Sequence, residues 1–92
     1  MGNQEFIEKC KKIIVNYFNS QAESTDKNGK INEENVFVVW GVKVLQNNKA
    51  LLSTTVTDGM YYEITYNGDK EEFYLDAYKK WKNNLIKKED LL

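Results

Sequence analysis

From residue 36 to residue 66 the chain alternates apolar and polar positions at period two, interrupted by short turn signals. Val36, Val38, Trp40, Val42 and Val44 share one side of a first strand, and Phe37, Val39 and Leu45 share the other with Gly41 and Lys43. An apolar residue on each side suits a central or covered strand. Asn47-Asn48 follows as the expected hairpin turn, because Asn tolerates positive φ. A second strand alternates Ala50, Leu52, Thr54 and Val56 with Leu51, Ser53, Thr55 and Thr57. Asp58-Gly59 is the strongest hairpin signal in the chain. A third strand then places Met60, Tyr62, Ile64 and Tyr66 opposite Tyr61, Glu63 and Thr65. Short turns force an antiparallel meander, since a parallel return needs a long crossover.

Upstream, Phe6, Cys10, Ile13, Ile14, Tyr17 and Phe18 recur at three-and-four spacing, which predicts an amphipathic helix over about 4–20 with Asn3 as N-cap. Residues 21–35 read as a polar connection. Within it Asp26-Lys27-Asn28-Gly29-Lys30-Ile31 has the flavour of a calcium loop. The glycine falls two positions early for that ligand pattern, and a polar turn is the reading retained. Downstream, Asn67-Gly68 launches a fourth strand over about 71–79. Phe73 and Leu75 then pair with Tyr62 and Met60, matching apolar sides. A rival pattern starts a helix at Asp69, with Glu72 completing a capping box and Tyr74, Ala77, Tyr78, Trp81 and Leu85 forming a stripe. The side matching favours the strand. Residues 80–92 are then a short helix or a tail.

The expected fold is one small α+β domain of 92 residues. An N-terminal helix packs on an antiparallel meander of four strands, over about 36–45, 49–57, 60–66 and 71–79; the alternative is three strands with a C-terminal helix, αβββα. One helix is about 10 Å wide, whereas four strands span about 15 Å. One side of the sheet is then partly covered and the other is bare. The bare side carries either Tyr61 and Tyr74 or Tyr62 and Phe73.

Composition narrows the chemistry. The chain has no His, no Pro and no Arg, and all thirteen basic residues are Lys. Ser-His and Cys-His nucleophiles and the common His-containing metal sites are excluded, as is bidentate guanidinium recognition of phosphate or guanine. A net charge of −1 argues against a polyanionic partner and an anionic membrane. The polar start and the lack of a long apolar run lead us to expect neither a secretory signal nor a membrane span. The single cysteine, Cys10, lies in the helix stripe and reads as a small core residue, consistent with a cytoplasmic setting.

The run VVWGVKVLQNNKALLSTTVTDGMYYEITYNGDKEE, preceded by a helix ending NYF, resembles a family of small uncharacterised proteins encoded by phages and prophages of low-GC Gram-positive bacteria. The resemblance spans roughly residues 5–81 and is densest from Trp40 to Asn67. It implies a phage or prophage origin and a host-cell cytoplasmic setting. It brings no activity and no functional residue.

Three function classes follow. A non-enzymatic protein that binds a host or phage protein, or a second copy of itself, would use exposed aromatics: Trp40, Tyr61, Tyr62, Tyr66, Tyr74, Tyr78 and Trp81 are the candidates, since Tyr and Trp dominate interface hot spots. A nucleic-acid accessory protein would rest on the αβββα layout of double-stranded RNA-binding domains and on Lys79, Lys80, Lys82, Lys87 and Lys88; interspersed glutamates favour a solvated surface instead. A small-molecule binder or enzyme would draw on Asp58, Glu63, Asp69, Glu71, Glu72 and Asp76, with Glu63 and Glu72 as cross-strand neighbours. No nucleophile or oxyanion partner accompanies them, so neither catalysis nor a cofactor or metal is expected.

Overall fold

The computed structural model describes residues 1–21 and 29–91. Helix α1 spans Asn3–Gln21. A single 3₁₀ turn over Glu33–Asn35 leads into strands β1 (Val36–Val44), β2 (Asn47–Thr54), β3 (Met60–Asn67) and β4 (Glu72–Lys79). The sheet is antiparallel in the order β1-β2-β3-β4. The expected four-strand α+β layout is therefore the observed one, and the αβββα alternative is not. The calcium-loop reading rests on Asp26, Lys27 and Asn28, which lie outside the described residues.

The helix forms because its apolar positions stack into one stripe. Phe6, Cys10 and Ile14 are fully buried against Ala50, Leu52, Tyr62 and Ile64. The Phe6 ring stacks on Phe73 at 6.4 Å between centroids, and Phe73 in turn meets Tyr66 at 4.7 Å. At the other end Tyr17 meets Tyr62 edge-on at 6.0 Å. Helical capping starts one residue early, with the Phe6 N–H donating to the Gly2 carbonyl at 2.9 Å. Asn19 ties the helix end to the chain ahead of β1: its amide donates to the Ile31 carbonyl at 3.0 Å and accepts from the Ile31 N–H at 2.9 Å. Asn32 then caps the 3₁₀ turn, with a reciprocal bond from Asn35.

Four details differ from the sequence expectation. First, β1 is an edge strand and is mostly exposed. Its pairing with β2 shifts between Val38 and Trp40, a β-bulge. A bulge inserts one residue and reverses the alternation beyond it. Val36 and Val38 therefore face the helix side, whereas Trp40, Val42 and Val44 join Phe37 on the opposite side. Second, the first turn is Leu45-Gln46, with Leu45 at φ 56°, not Asn47-Asn48. Third, β2 ends at Thr54, and the loop to β3 is wider than a two-residue turn. Gly59 there adopts φ 72°, and the Asp58 side chain accepts the Met60 N–H at 3.0 Å. Fourth, the last turn uses residues 68–71, with Glu71 at φ 54°. Asn67 caps it by accepting the Asp69 and Lys70 N–H groups at 3.1 and 3.2 Å. Phe73 consequently pairs with Tyr66 and Leu75 with Ile64, in place of Tyr62 and Met60. Each partner lies four residues further along β3 than expected, an even number, so every side chain keeps its side.

The two tight loops sit side by side at one end of the sheet and hold each other. The Gly68 N–H donates to Asn47 Oδ1 at 3.0 Å, and Gln46 Nε2 donates to Asp69 Oδ2 at 2.8 Å. A Cβ on Gly68 would overlap the Gln46 carbonyl oxygen. This contact explains why the first turn falls at 45–46: Asn47 is used as an acceptor for the neighbouring loop. Asn48 is carried under the helix side and is buried, and neither its Oδ1 nor its Nδ2 has a hydrogen-bond partner among the described residues.

Gly68→Ala should lower unfolding stability by about 1–3 kcal/mol in urea titration, because backbone must move to admit the methyl group. Gly41→Ala, whose Cβ would find Ala50 Cβ at an ordinary 3.7 Å, should be neutral or stabilising. Asn48→Leu removes two unpaired polar atoms at similar volume and should raise stability by up to about 1–2 kcal/mol. A loss of stability on Asn48→Leu would mean that the amide is satisfied in solution.

Candidate interaction face

The register assigns every strand residue to one side of the sheet. On the side away from α1, Phe37, Ser53, Tyr61 and Tyr78 form one row across the four strands. Trp40, Leu51, Glu63 and Asp76 form the next, and Val42, Lys49, Thr65 and Tyr74 the third. No described element packs on this side. Trp40, Leu51, Tyr61, Glu63, Tyr78, Lys79 and Lys80 line a shallow depression of about 470 Å³. The bare side thus carries Tyr61 and Tyr74, and the helix side carries Tyr62 and Phe73.

The candidate residues divide accordingly. Trp40, Tyr61, Tyr74 and Tyr78 come together on the bare side. Tyr62 and Tyr66 are core residues at 2% and 8% exposure, so they leave the candidate surface. Trp81 lies beyond β4 and is 96% exposed. Phe37 and Leu51 belong to the face but were not among the aromatic candidates. The alternation puts Phe37 and Trp40 on opposite sides unless the bulge is known, and no local signal in Val38-Val39-Trp40 announces it.

Charge sits at the centre of this apolar surface. Glu63 and Asp76 are directly opposite each other on neighbouring strands. Lys49 Nζ lies 3.2 Å from Glu63 Oε1 on the diagonal, whereas Asp76 has no ion-pair partner among the described residues. The expected Glu63–Glu72 neighbourhood does not form, because the longer last turn moves Glu72 opposite Asn67. Glu72 instead accepts a hydrogen bond from the Tyr74 hydroxyl, which holds that phenol's pKa above its ordinary value. Tyr62 is raised too, first by burial and then by the Asp58 charge. Among the described residues no group of three or more Cys, Asp and Glu side chains converges as a metal site. No helix among them is long and apolar enough to cross a membrane. Cys10 is buried, and burial pushes its thiol up to about 12. This is the opposite of the lowered pKa that a reactive cysteine needs.

A single helix on one side of a four-stranded meander, with an aromatic and acidic opposite side, defines the class: a small α+β domain with an open sheet. Residues 7–88 match a family model described as "Family of unknown function (DUF6275)", and the chain belongs to that family. No curated protein and no solved structure matches the chain. The double-stranded RNA-binding comparison loses its basis, because the segment it needs as a helix is β4.

The Cys10 thiol should react with an aromatic disulfide reagent on the order of a hundredfold or more slower in the native protein than in denaturant. Its pKa also sets a sign for alkaline stability. The folded thiol titrates near 12 and the unfolded thiol near 9.0, so its contribution is complete below 9 and is lost as pH rises through that window. Tyr62 acts in the same direction. Thermal melts from pH 8 to 11 should show a falling midpoint, with a shallower fall for Cys10→Ala relative to its own value at pH 8.

Proposed function

We propose that this protein is a non-enzymatic binding protein whose open sheet face docks a host or phage protein. The observation that carries the reading is the composition of that face. Phe37, Trp40, Leu51, Tyr61 and Tyr78 surround a small charged centre of Lys49, Glu63 and Asp76. Rigid aromatic anchors around a few fixed charges are what hot-spot clusters use. The exposed aromatics also form one contiguous patch, where scattered apolar residues would need no explanation. The phage or prophage origin and the host cytoplasm rest on the resemblance of roughly residues 5–81, densest from Trp40 to Asn67, to phage- and prophage-encoded proteins. Among the described residues no nucleophile–base pair lies beside the carboxylates, which supports binding over catalysis.

The test is site-specific photo-crosslinking in the host cell. A benzophenone amino acid at Tyr78 should give a discrete adduct with a protein. The same group at Lys9, exposed on the outer side of α1, should not give that adduct. Identical adducts from both positions, or adducts to nucleic acid alone, would overturn the reading.

A further inference from the structure

The C-terminal segment is the second unpartnered apolar feature of the molecule, and it fits the first. Past β4, the Lys80 N–H donates to the Gly59 carbonyl at 2.8 Å. Residues 81–87 then run without regular structure to a closing 3₁₀ turn over Lys88–Leu91. Trp81 is 96% exposed and Leu85 86%, with Ile86 and Leu91 also exposed. Every residue from 81 to 91 is exposed, so the segment does not pack over its own sheet. Beyond Lys80, its charges are Lys82, Lys87 and Lys88, with Glu89 and Asp90 only at the end. The open face offers apolar side chains around Glu63, Asp76 and Glu72, with Lys49 paired to Glu63, Asp76 unpaired among the described residues, and Lys79 and Lys80 at the rim of its depression.

We infer that residues 81–91 of one copy seat on the open sheet face of a second copy, and reciprocally, forming a two-fold dimer. Two features choose this occupant. The alternation of Lys with Trp81, Leu85 and Ile86 complements an acidic centre in an apolar surround, in charge and in apolar content. Packing two open faces directly would instead set Glu63 and Asp76 against their own copies, a like-charge contact that costs affinity. Reach is also sufficient: the seven residues 81–87 span about 23 Å when extended, close to the length of an eight-residue strand. A two-fold arrangement closes, so both tails and both faces are used once.

This inference rests on reading the open face as a protein-docking surface, and it names one occupant. Sedimentation velocity of the full chain between 1 and 100 µM should show a monomer–dimer equilibrium that weakens with salt. Trp81→Ser with Leu85→Ser should weaken dimerisation on the order of tenfold or more, as should Asp76→Lys. All three positions are exposed, so far-UV circular dichroism should stay unchanged, as should the melting midpoint at a concentration where the unaltered protein is itself monomeric; at 100 µM the midpoint should fall with the lost dimer. In a 1:1 mixture of ¹⁴N and ¹⁵N protein, a photo-crosslinker at Leu85 should join tail peptides to β1–β4 peptides as mixed light–heavy pairs. A monomer at 100 µM, or a dimer indifferent to the tail variant, overturns the inference. So do crosslinks confined to single copies, which would mean that the tail folds on its own face, and nucleic acid co-purifying on the tail lysines. A monomer whose Tyr78 adduct with another protein persists leaves the docking face standing and removes only the second copy. A dimer as described, with no other protein ever captured at Tyr78, removes the heterologous partner and keeps the self-association.

Discussion

Everything in this molecule depends on one seam, where the Phe6–Cys10–Ile14 stripe of α1 closes on Leu52, Tyr62 and Ile64 of the two central strands. Burying Phe6, Ile14, Leu52 and Ile64 is worth roughly 1.5–3 kcal/mol each, and a domain this small has few other sources of stability. The seam has room for no alternative helix placement, because Phe6 is stacked on Phe73 at one end and Tyr17 is set against Tyr62 at the other. A helix about 10 Å wide cannot shield both edges of a sheet about 15 Å wide. The exposed β1 and β4 edges and the bare opposite side are direct consequences of that geometry.

The sheet edges show how such exposure is managed. β1 offers a valine-rich strand with unpaired backbone, the kind of edge that invites further pairing. The bulge at Val38–Trp40 interrupts its ladder, and Lys43 projects from the part beyond it. At the loop end, the two hairpins lock through Gly68, Asn47, Gln46 and Asp69, which links β1–β2 to β3–β4 over and above strand pairing. Register is thus fixed by contacts between loops, in addition to the apolar pattern.

That distinction explains what could be read from the sequence. Side assignment in β2, β3 and β4 follows from period-two alternation, and it survives a register error of any even number of residues; Tyr61 and Tyr74 opposite Tyr62 and Phe73 is legible for that reason. Exact pairing is not, because it depends on whether Asn47 serves as a turn residue or as an acceptor for Gly68, a choice made between loops distant in sequence. The bulge is likewise invisible: Val38, Val39 and Trp40 are each good strand residues, and only the helix covering the Val36 end but not the Trp40 end selects the reversed alternation. Cys10 is the opposite case. Its place in the three-and-four stripe determines burial, and burial determines the raised thiol pKa.

The reversed alternation in turn decides what the open face can recognise. Without the bulge, Trp40 would sit on the helix side, and Leu51, Glu63 and Asp76 would lie on the bare surface without an aromatic ring from β1 in their row. With it, Trp40 joins Leu51 beside that acidic pair and deepens the depression against Tyr78. A ligand that fills the depression with an apolar group must also pass close to Asp76, which no lysine of the described strands neutralises. Leaving that carboxylate desolvated and unpaired is costly, so purely apolar ligands are disfavoured. A partner that brings an aromatic or aliphatic anchor flanked by an ammonium group meets both demands at once. One added residue in an edge strand therefore sets an aromatic ring beside the carboxylates of the open sheet side.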